Sequence, residues 1–502
     1  MIFTGVSMAG MKGKWQWVAG GGVVILFFVL LLIRLEILAN MFSRAGGTDS
    51  LSQATIAAGE HWMSITQEGR KIGHVHRSVA AAGEGFRFTE NIAMRINTLG
   101  IVQPLTVRTE ADLKPDRTLS SFQFDLGSSL FRFNARGKVE GKKLTVHIGS
   151  PGKETVTVVP LAETPYLGGS LLGSMGASEL KPGEEKTFPV FDPATLGQKP
   201  VRITLLGEET VTVMGERREA KKLSVDFMGM KQVAWVDRDG AVLREQGILG
   251  ITLERASREE ALAGLEGEAG ADLAEIAAVP SPRPIEDPDG LKVLKIRLTG
   301  LPEGPLFLDG GRQVYRGGVL TVRRETLAGP RGPSGGAGED LSAYLRPTPF
   351  IQSDHPRIKR KSLEILSPGD TDGVKAEKIL AWIHKNIEKR PVLSVPGALE
   401  TLDGRVGDCN EHAVLMAALT RAAGIPSEVE AGLVYLRGRF YYHAWNILFL
   451  REKGGWVTAD SVFGQMPADV THIRFVRGGA DRQLDLVGLI GRVKLEILEM
   501  TR

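Results

Sequence analysis

Between His61 and about Glu254 the chain alternates short apolar runs with Gly, Asp and Asn. Runs at 143–148, 154–158, 201–205, 209–213 and 223–227 place β-branched residues at period two, which predicts half-buried antiparallel strands. Asp237-Arg-Asp-Gly240 separates two further runs and predicts a hairpin turn with Gly240 at positive φ. An antiparallel β domain over 60–255, either a sandwich or a partly closed barrel, is the expected outcome. Residues 256–285 then turn Ala- and Glu-rich and finally Pro-rich, and short strand-like runs follow at 291–298 and 314–322 before the Gly-rich stretch 328–338. Residues 256–344 therefore read as a linker carrying a small β segment. From Thr371 the period changes: Val374, Leu380, Ile383 and Ile387 form one apolar stripe that predicts a helix ending before Pro391.

The N-terminus has a different texture. After a tail at 1–14, residues 15–33 carry no charge over 19 positions, about the ~20 a membrane-spanning helix requires. Trp15 and Trp17 stand at one end and Arg34 at the other, as interfacial anchors do. Residues 15–35 are expected to form a single transmembrane anchor. The balance of Lys12 and Lys14 against Arg34, Glu36 and Arg44 leans towards an inside N-terminus, which in a bacterium places the bulk of the chain in the periplasm.

Composition adds one strong restriction. Lys and Arg total 62 against 59 Asp and Glu, a balance that names no polyanionic partner, so no nucleic acid is expected. Cys409 is the single cysteine, which excludes an intramolecular disulfide, a cysteine-based zinc cluster and a Cys-x-x-Cys redox pair. It leaves a buried filler, a free thiol or a nucleophile. For metals, His74 and His76 share a strand face but lack an evident third ligand, and three Asp-x-Asp-Gly turns lack calcium-loop spacing. No cofactor or metal is expected. Gly332-Pro-Ser-Gly-Gly336 matches a hydrolase pattern only by letter, because flexible loop surrounds it where a strand and a helix are needed.

Cys409 sits in a defined local setting. In Gly407-Asp-Cys-Asn-Glu-His-Ala413, Asp408 can cap a helix and Glu411 can complete a capping box, so Cys409 takes the first helical position. The unpaired N–H groups there favour a thiolate. Two strand candidates follow, 438–450 carrying His443 and 455–460 ending in Asp460. Neighbouring strands can bring His443 and Asp460 side by side at the tip of the cysteine helix, the geometry of a nucleophile, base and orienting acid. Singly, each residue also has a structural reading, as a core cysteine, a satisfied core histidine or a strand-end aspartate, but the order and local elements together favour the site.

Four segments, Gly407–Ala413, Arg421–Pro426, Tyr442–Trp445 and Trp456–Asp460, occur in this order and together resemble the core of the transglutaminase-like superfamily over about residues 345–475. The resemblance implies a papain-like α+β domain over 345–502, with Cys409 as nucleophile, His443 as base and then acid, and Asp460 as the group that orients and charges the imidazole. Many members have proline after this aspartate, whereas here Ser461 follows. The implied activity is thiol-dependent acyl transfer on protein or peptide amides, with hydrolysis favoured. Cross-linking by transglutamination and a non-catalytic envelope scaffold are the alternatives. The segment 463–473 also looks like membrane-anchored bacterial members, with no chemical role assigned to Gln465, Asp469 or His472.

Overall fold

The computed structural model describes residues 59–149, 154–175, 180–227, 230–265, 270–302, 306–326, 340–395 and 397–502. The expected anchor at 15–35 lies outside them, and no helix among the described residues is long and apolar enough to cross a membrane. The first large element is one sheet of 15 strands. It runs by hairpins from Thr155–Pro160 back to Gly59–Gln67, passes to Ile251–Ala256, and continues through further antiparallel neighbours to Glu185–Asp192 and the short parallel Tyr166–Leu167. Burial alternates along its strands: in Gly85–Thr98, Phe88, Ile92, Met94 and Ile96 face inward. Period two thus supplies one apolar face to a shared core. The two arms of the meander fold towards each other, since Phe122 packs on Phe191 with ring centroids 5.3 Å apart and the Leu119 N–H donates to the Pro165 carbonyl at 2.7 Å.

The runs at 201–205 and 209–213 turn out to be one strand, Gly197–Val213, whose register shifts between Leu205 and Gly207. A bulge of this kind interrupts the alternation without ending the strand. Gly240 closes the expected hairpin at φ +84°. The helix expected from Thr371 is Asp372–Asn386, capped by the Thr371 side chain, but its buried face is Ala376, Ile379, Leu380 and Ile383. Val374 is 39 % exposed and lies outside that stripe, because spacings of three and four run from 376 to 387 and miss it.

Within residues 256–344, expected as a linker with a small β segment, Arg258–Leu262 packs on the large sheet, while the strands from Val279 to Arg323 are woven into the C-terminal part. Val279–Pro280 pairs with Arg439 and Phe440, and Val293–Thr299 lies between Val319–Arg323 and the last strand, Lys494–Thr501. The strand-like runs were legible in this segment, but not their partners, which lie up to about 200 residues away and are set by tertiary pairing.

The helices Pro356–Ile365, Asp372–Asn386 and Ala398–Gly404 pack around Cys409–Ala422, and of the four Cys409–Ala422 and Asp372–Asn386 lie against a five-stranded sheet. At its centre Arg439–Leu450 pairs along one edge with Ser427–Leu436. Along the other edge it pairs with Val279–Pro280 at positions 439 and 440, then with Gly455–Ala459 at 446–450. Residues 441–445 on that edge lie between the two partners, and the cysteine helix packs on this strand. The large sheet abuts this unit: Gln103 Nε2 donates to the Pro391 carbonyl at 3.0 Å, and Tyr441 Oη donates at 2.7 Å to Glu275 of the short helix Leu273–Ala277, which packs on Gly85–Thr98.

Gly432, opposite His443, sits where the Ser427–Leu436 strand shifts register against Ile473–Arg477. A Cβ there would stand 1.9 Å from the Ile473 carbonyl oxygen. Gly432→Ala is therefore expected to cost about 1–3 kcal/mol through backbone displacement, read as a lowered urea midpoint at unchanged m-value.

Candidate functional site

The helix Cys409–Ala422 starts as its sequence predicts. Asp408 accepts from the Asn410 N–H at 2.9 Å, and Glu411 returns to accept from the Asp408 N–H at 3.0 Å. The returning glutamate lies over Gly407, where a Cβ would come within 2.4 Å of the Glu411 Cβ, so the glycine gives the capping box its room. Ser394 Oγ donates to the same glutamate. Cys409 is at 0 % exposure, and its sulfur accepts from the backbone N–H of Ala444, the residue after His443. The thiol thus lies against the strand edge between Val279–Pro280 and Gly455–Ala459.

The surroundings of the sulfur oppose the thiolate that the helix start favours. Burial pushes the Cys409 thiol well up, the nearby Asp408 and Glu411 carboxyls add to the effect, and the Ala444 N–H opposes them. Asp408 is itself pushed well above the usual carboxylate range by burial and by Glu411. A dry site penalises every uncompensated anion.

His443 extends from Arg439–Leu450, and Asp460 follows Gly455–Ala459 directly. Both are at 0 % exposure, and His443 Nε2 lies 2.6 Å from Asp460 Oδ2. The aspartate is held from its other side by the N–H groups of Val462 at 2.7 Å and Phe463 at 3.0 Å, both on Oδ1. The sequence candidates Cys409, His443 and Asp460 are thus brought to one place, and Ser461 in place of proline leaves this loop closed.

A second histidine shares the aspartate. His472 Nε2 lies 2.9 Å from the same Oδ2, and His472 Nδ1 lies 3.3 Å from Asp469 Oδ1. Burial alone would raise the Asp460 carboxyl, but His443 and His472 hold it well below the usual range. Burial would lower His472, yet Asp469 and the hydrogen bonds to both carboxylates hold it up at about 9. Asp469 is depressed in turn, since His472 and the Thr471 donors overcome burial. Sequence reasoning gave Asp469 and His472 no part in this site. The available signal was the Asp-x-x-His spacing of 469–472 in a segment already noted for its family likeness.

Donor atoms of His443, Asp460 and His472 lie within 4.8 Å of one another, the spacing of a potential metal site. The contacts of 2.6 and 2.9 Å onto one oxygen are those of two N–H donors. His74 and His76, the pair weighed from sequence, instead flank the Trp62 ring at 5.9 and 4.3 Å.

Residues 359–461 match the family model of the transglutaminase-like superfamily core. This segment is a transglutaminase-like domain. It takes in Cys409, His443 and Asp460, whereas Asp469 and His472 lie beyond the matched span. A comparison with curated proteins finds no match. Among solved structures, a proposed cysteine protease from Cytophaga hutchinsonii aligns at 16% identity and TM-score 0.26, covering 42% of this chain and 84% of that one. A β-barrel-like DUF1849 protein from Brucella abortus aligns at 12% identity and TM-score 0.31, covering 41% and 100%. A proposed protease from Parabacteroides distasonis aligns at 11% identity and TM-score 0.20, covering 74% and 68%.

Two outcomes follow for the transglutaminase-like domain. Asp460→Ala leaves two buried imidazoles without their anion and is expected to cost about 3–5 kcal/mol of unfolding free energy in chemical denaturation. His472 has a folded value of about 9 against an ordinary 6.5, so its contribution to stability is complete below pH 6.5 and is lost as pH rises through 9. Denaturation midpoints measured across that window should fall in the native chain, and the part due to this group should be absent in His472→Gln.

Proposed function

We propose that this chain performs thiol-dependent acyl transfer on protein or peptide amides, with water as the usual acceptor. The observation that carries the reading is the Cys409 sulfur hydrogen-bonded to the backbone beside His443, whose Nε2 is 2.6 Å from Asp460. With Nε2 committed to Asp460, the base role falls to Nδ1. Burial favours the protonated thiol, so in this proposal proton transfer from Sγ to His443 accompanies attack on the amide carbonyl. The resulting imidazolium is stabilised by Asp460 and gives its proton to the departing amine as the C–N bond breaks, leaving a thioester on Cys409. Water then attacks the thioester carbonyl, His443 takes its proton, and the acid leaves as the thiol is restored. An amine attacking at the same stage would form an isopeptide bond.

The proposal includes the membrane anchor at 15–35 and a periplasmic location, both supported by the sequence pattern alone. A second reading, an interaction scaffold, is favoured by one observation: Cys409, His443 and Asp460 are all at 0 % exposure. The enzyme reading requires substrate to open a path to the sulfur.

With labelled casein as substrate, Cys409→Ala is expected to lose at least ~10³-fold in turnover. Wild type should also give a mass-spectrometric acyl adduct on Cys409. Retained activity in the variant overturns the nucleophile assignment, and a wild type with neither turnover nor adduct favours the scaffold. Incorporation of a labelled primary amine into casein would replace hydrolysis by cross-linking.

A further inference from the structure

The two carboxylates around His472 determine its charge by geometry. Asp460 and Asp469 are buried, and ionised carboxylates accept hydrogen bonds but do not donate them. His472 turns Nε2 to Asp460 at 2.9 Å and Nδ1 to Asp469 at 3.3 Å. An imidazole with a carboxylate oxygen at each ring nitrogen satisfies both only when both nitrogens carry hydrogen, and then it is a cation. Each carboxylate is also fixed independently, Asp460 by Val462 and Phe463 and Asp469 by the N–H and hydroxyl of Thr471 at 2.7 and 2.6 Å. The arrangement is a linear chain, Asp469, His472, Asp460, His443, in which the His472 cation lies between two carboxylates.

We propose that His472 is a positioning residue of the transglutaminase-like site: held as a cation between Asp469 and Asp460, it shares the Asp460 carboxylate with His443 and sets how firmly His443 keeps a proton. The reasoning is electrostatic. A lone aspartate at 2.6 Å in a dry site would favour imidazolium on His443 strongly, turning it into a poor base. With a cation on the same oxygen, part of that charge is already spent, so His443 remains able to accept the thiol proton and release it again. His472 also fixes the carboxylate plane, since Oδ2 must serve two donors from different elements.

Other charged groups face this chain from neighbouring elements. His443 is the nearest titratable ring, 5.8 Å from His472 between centroids. Asp289, joined to the loop through Gln465 at 2.6 Å, is raised first by its own burial and then by Asp469, and His472 acts on it with the opposite sign. Arg312 donates to the His472 carbonyl at 3.0 Å and to the Ala468 carbonyl at 2.6 Å, so it holds the backbone of this loop. Lys389, on the short strand Glu388–Lys389, is within electrostatic reach of Asp460, and His412 is lowered to about 4 by burial.

The kinetic part of the proposal rests on the acyl-transfer reading, while the charge arrangement does not. The test is ¹⁵N-histidine NMR on the full 502-residue chain, with its nine histidines assigned by single substitution, beside the pH profile of casein turnover. His472 should remain doubly protonated at pH 7. His472→Gln keeps one donor to Asp460 but removes the cation, and should raise the His443 titration and the acid limb of the turnover profile together by about one unit or more. At a pH on that limb this is a loss of about tenfold, recovered at higher pH, which a merely structural role would not produce. Should that variant fail to fold, Asp469→Asn tests the same chain: His472 should lose its proton more readily, and His443 should shift upward by a smaller amount. A neutral His472 at pH 7, or a His443 titration unmoved in the folded variant, overturns the proposal. NMR shifts as expected in a chain without turnover would uphold the charge arrangement while removing the acyl-transfer reading.

Discussion

Asp460 is a negative charge at 0 % exposure, and the surrounding structure supplies the groups that keep it there. An isolated carboxylate in such a place would take up a proton or unfold its surroundings. Here four donors meet it: two backbone N–H groups from the loop that follows, one ring from the long central strand and one ring from the approach to Ile473–Arg477. The positions of three segments are coupled through one side chain. This constraint fixes the loop after Gly455–Ala459, and that loop in turn closes on itself through reciprocal backbone bonds between Asp460 and Gln465.

Cysteine placement depends on a different constraint, the incomplete pairing of Arg439–Leu450. Its partners on one edge stop at position 440 and resume at 446, so the stretch holding His443 and Ala444 meets the cysteine helix there. An unpaired strand N–H in a buried place needs an acceptor, and for Ala444 the Cys409 sulfur is one. Asn446 adds a bond from its side chain to the Ala413 carbonyl at 2.9 Å, tying the second turn of the helix to the same strand. The gap in pairing and the capped helix start are complementary features, each of which would carry a cost alone.

On the outer side of this sheet, Glu430 shows the same solution applied to structure. It is fully buried, receives Trp445 Nε1 at 3.0 Å, and is held down at about 2 by Arg474 and Arg477 in spite of its burial. Its arginines extend from Ile473–Arg477, the strand that begins beside His472. The strand is thereby clamped at both ends by buried charge. Removing one member of such a pairing costs far more than the pair contributes over an apolar substitute, so these contacts specify arrangement more than they add stability.

Local features were legible in the chain itself. The capping box at Asp408 and Glu411, the turn at Gly240, period-two burial in the large sheet, and the order of Cys409, His443 and Asp460 all depend on neighbours within a few residues or on motif order. The bulge at Leu205 and Gly207 and the true buried face of Asp372–Asn386 were not, because each is decided by what packs against it. The same holds for 256–344, whose strands find their partners in the C-terminal third of the chain. By itself the sequence determined the elements, the helix that begins at Cys409 and the three residues of the candidate triad. Only the tertiary structure decided the burial of the thiol and the entry of Asp469 and His472 into the site. Both are consequences of removing water, and desolvation and charge pairing arise between segments that the linear chain keeps apart.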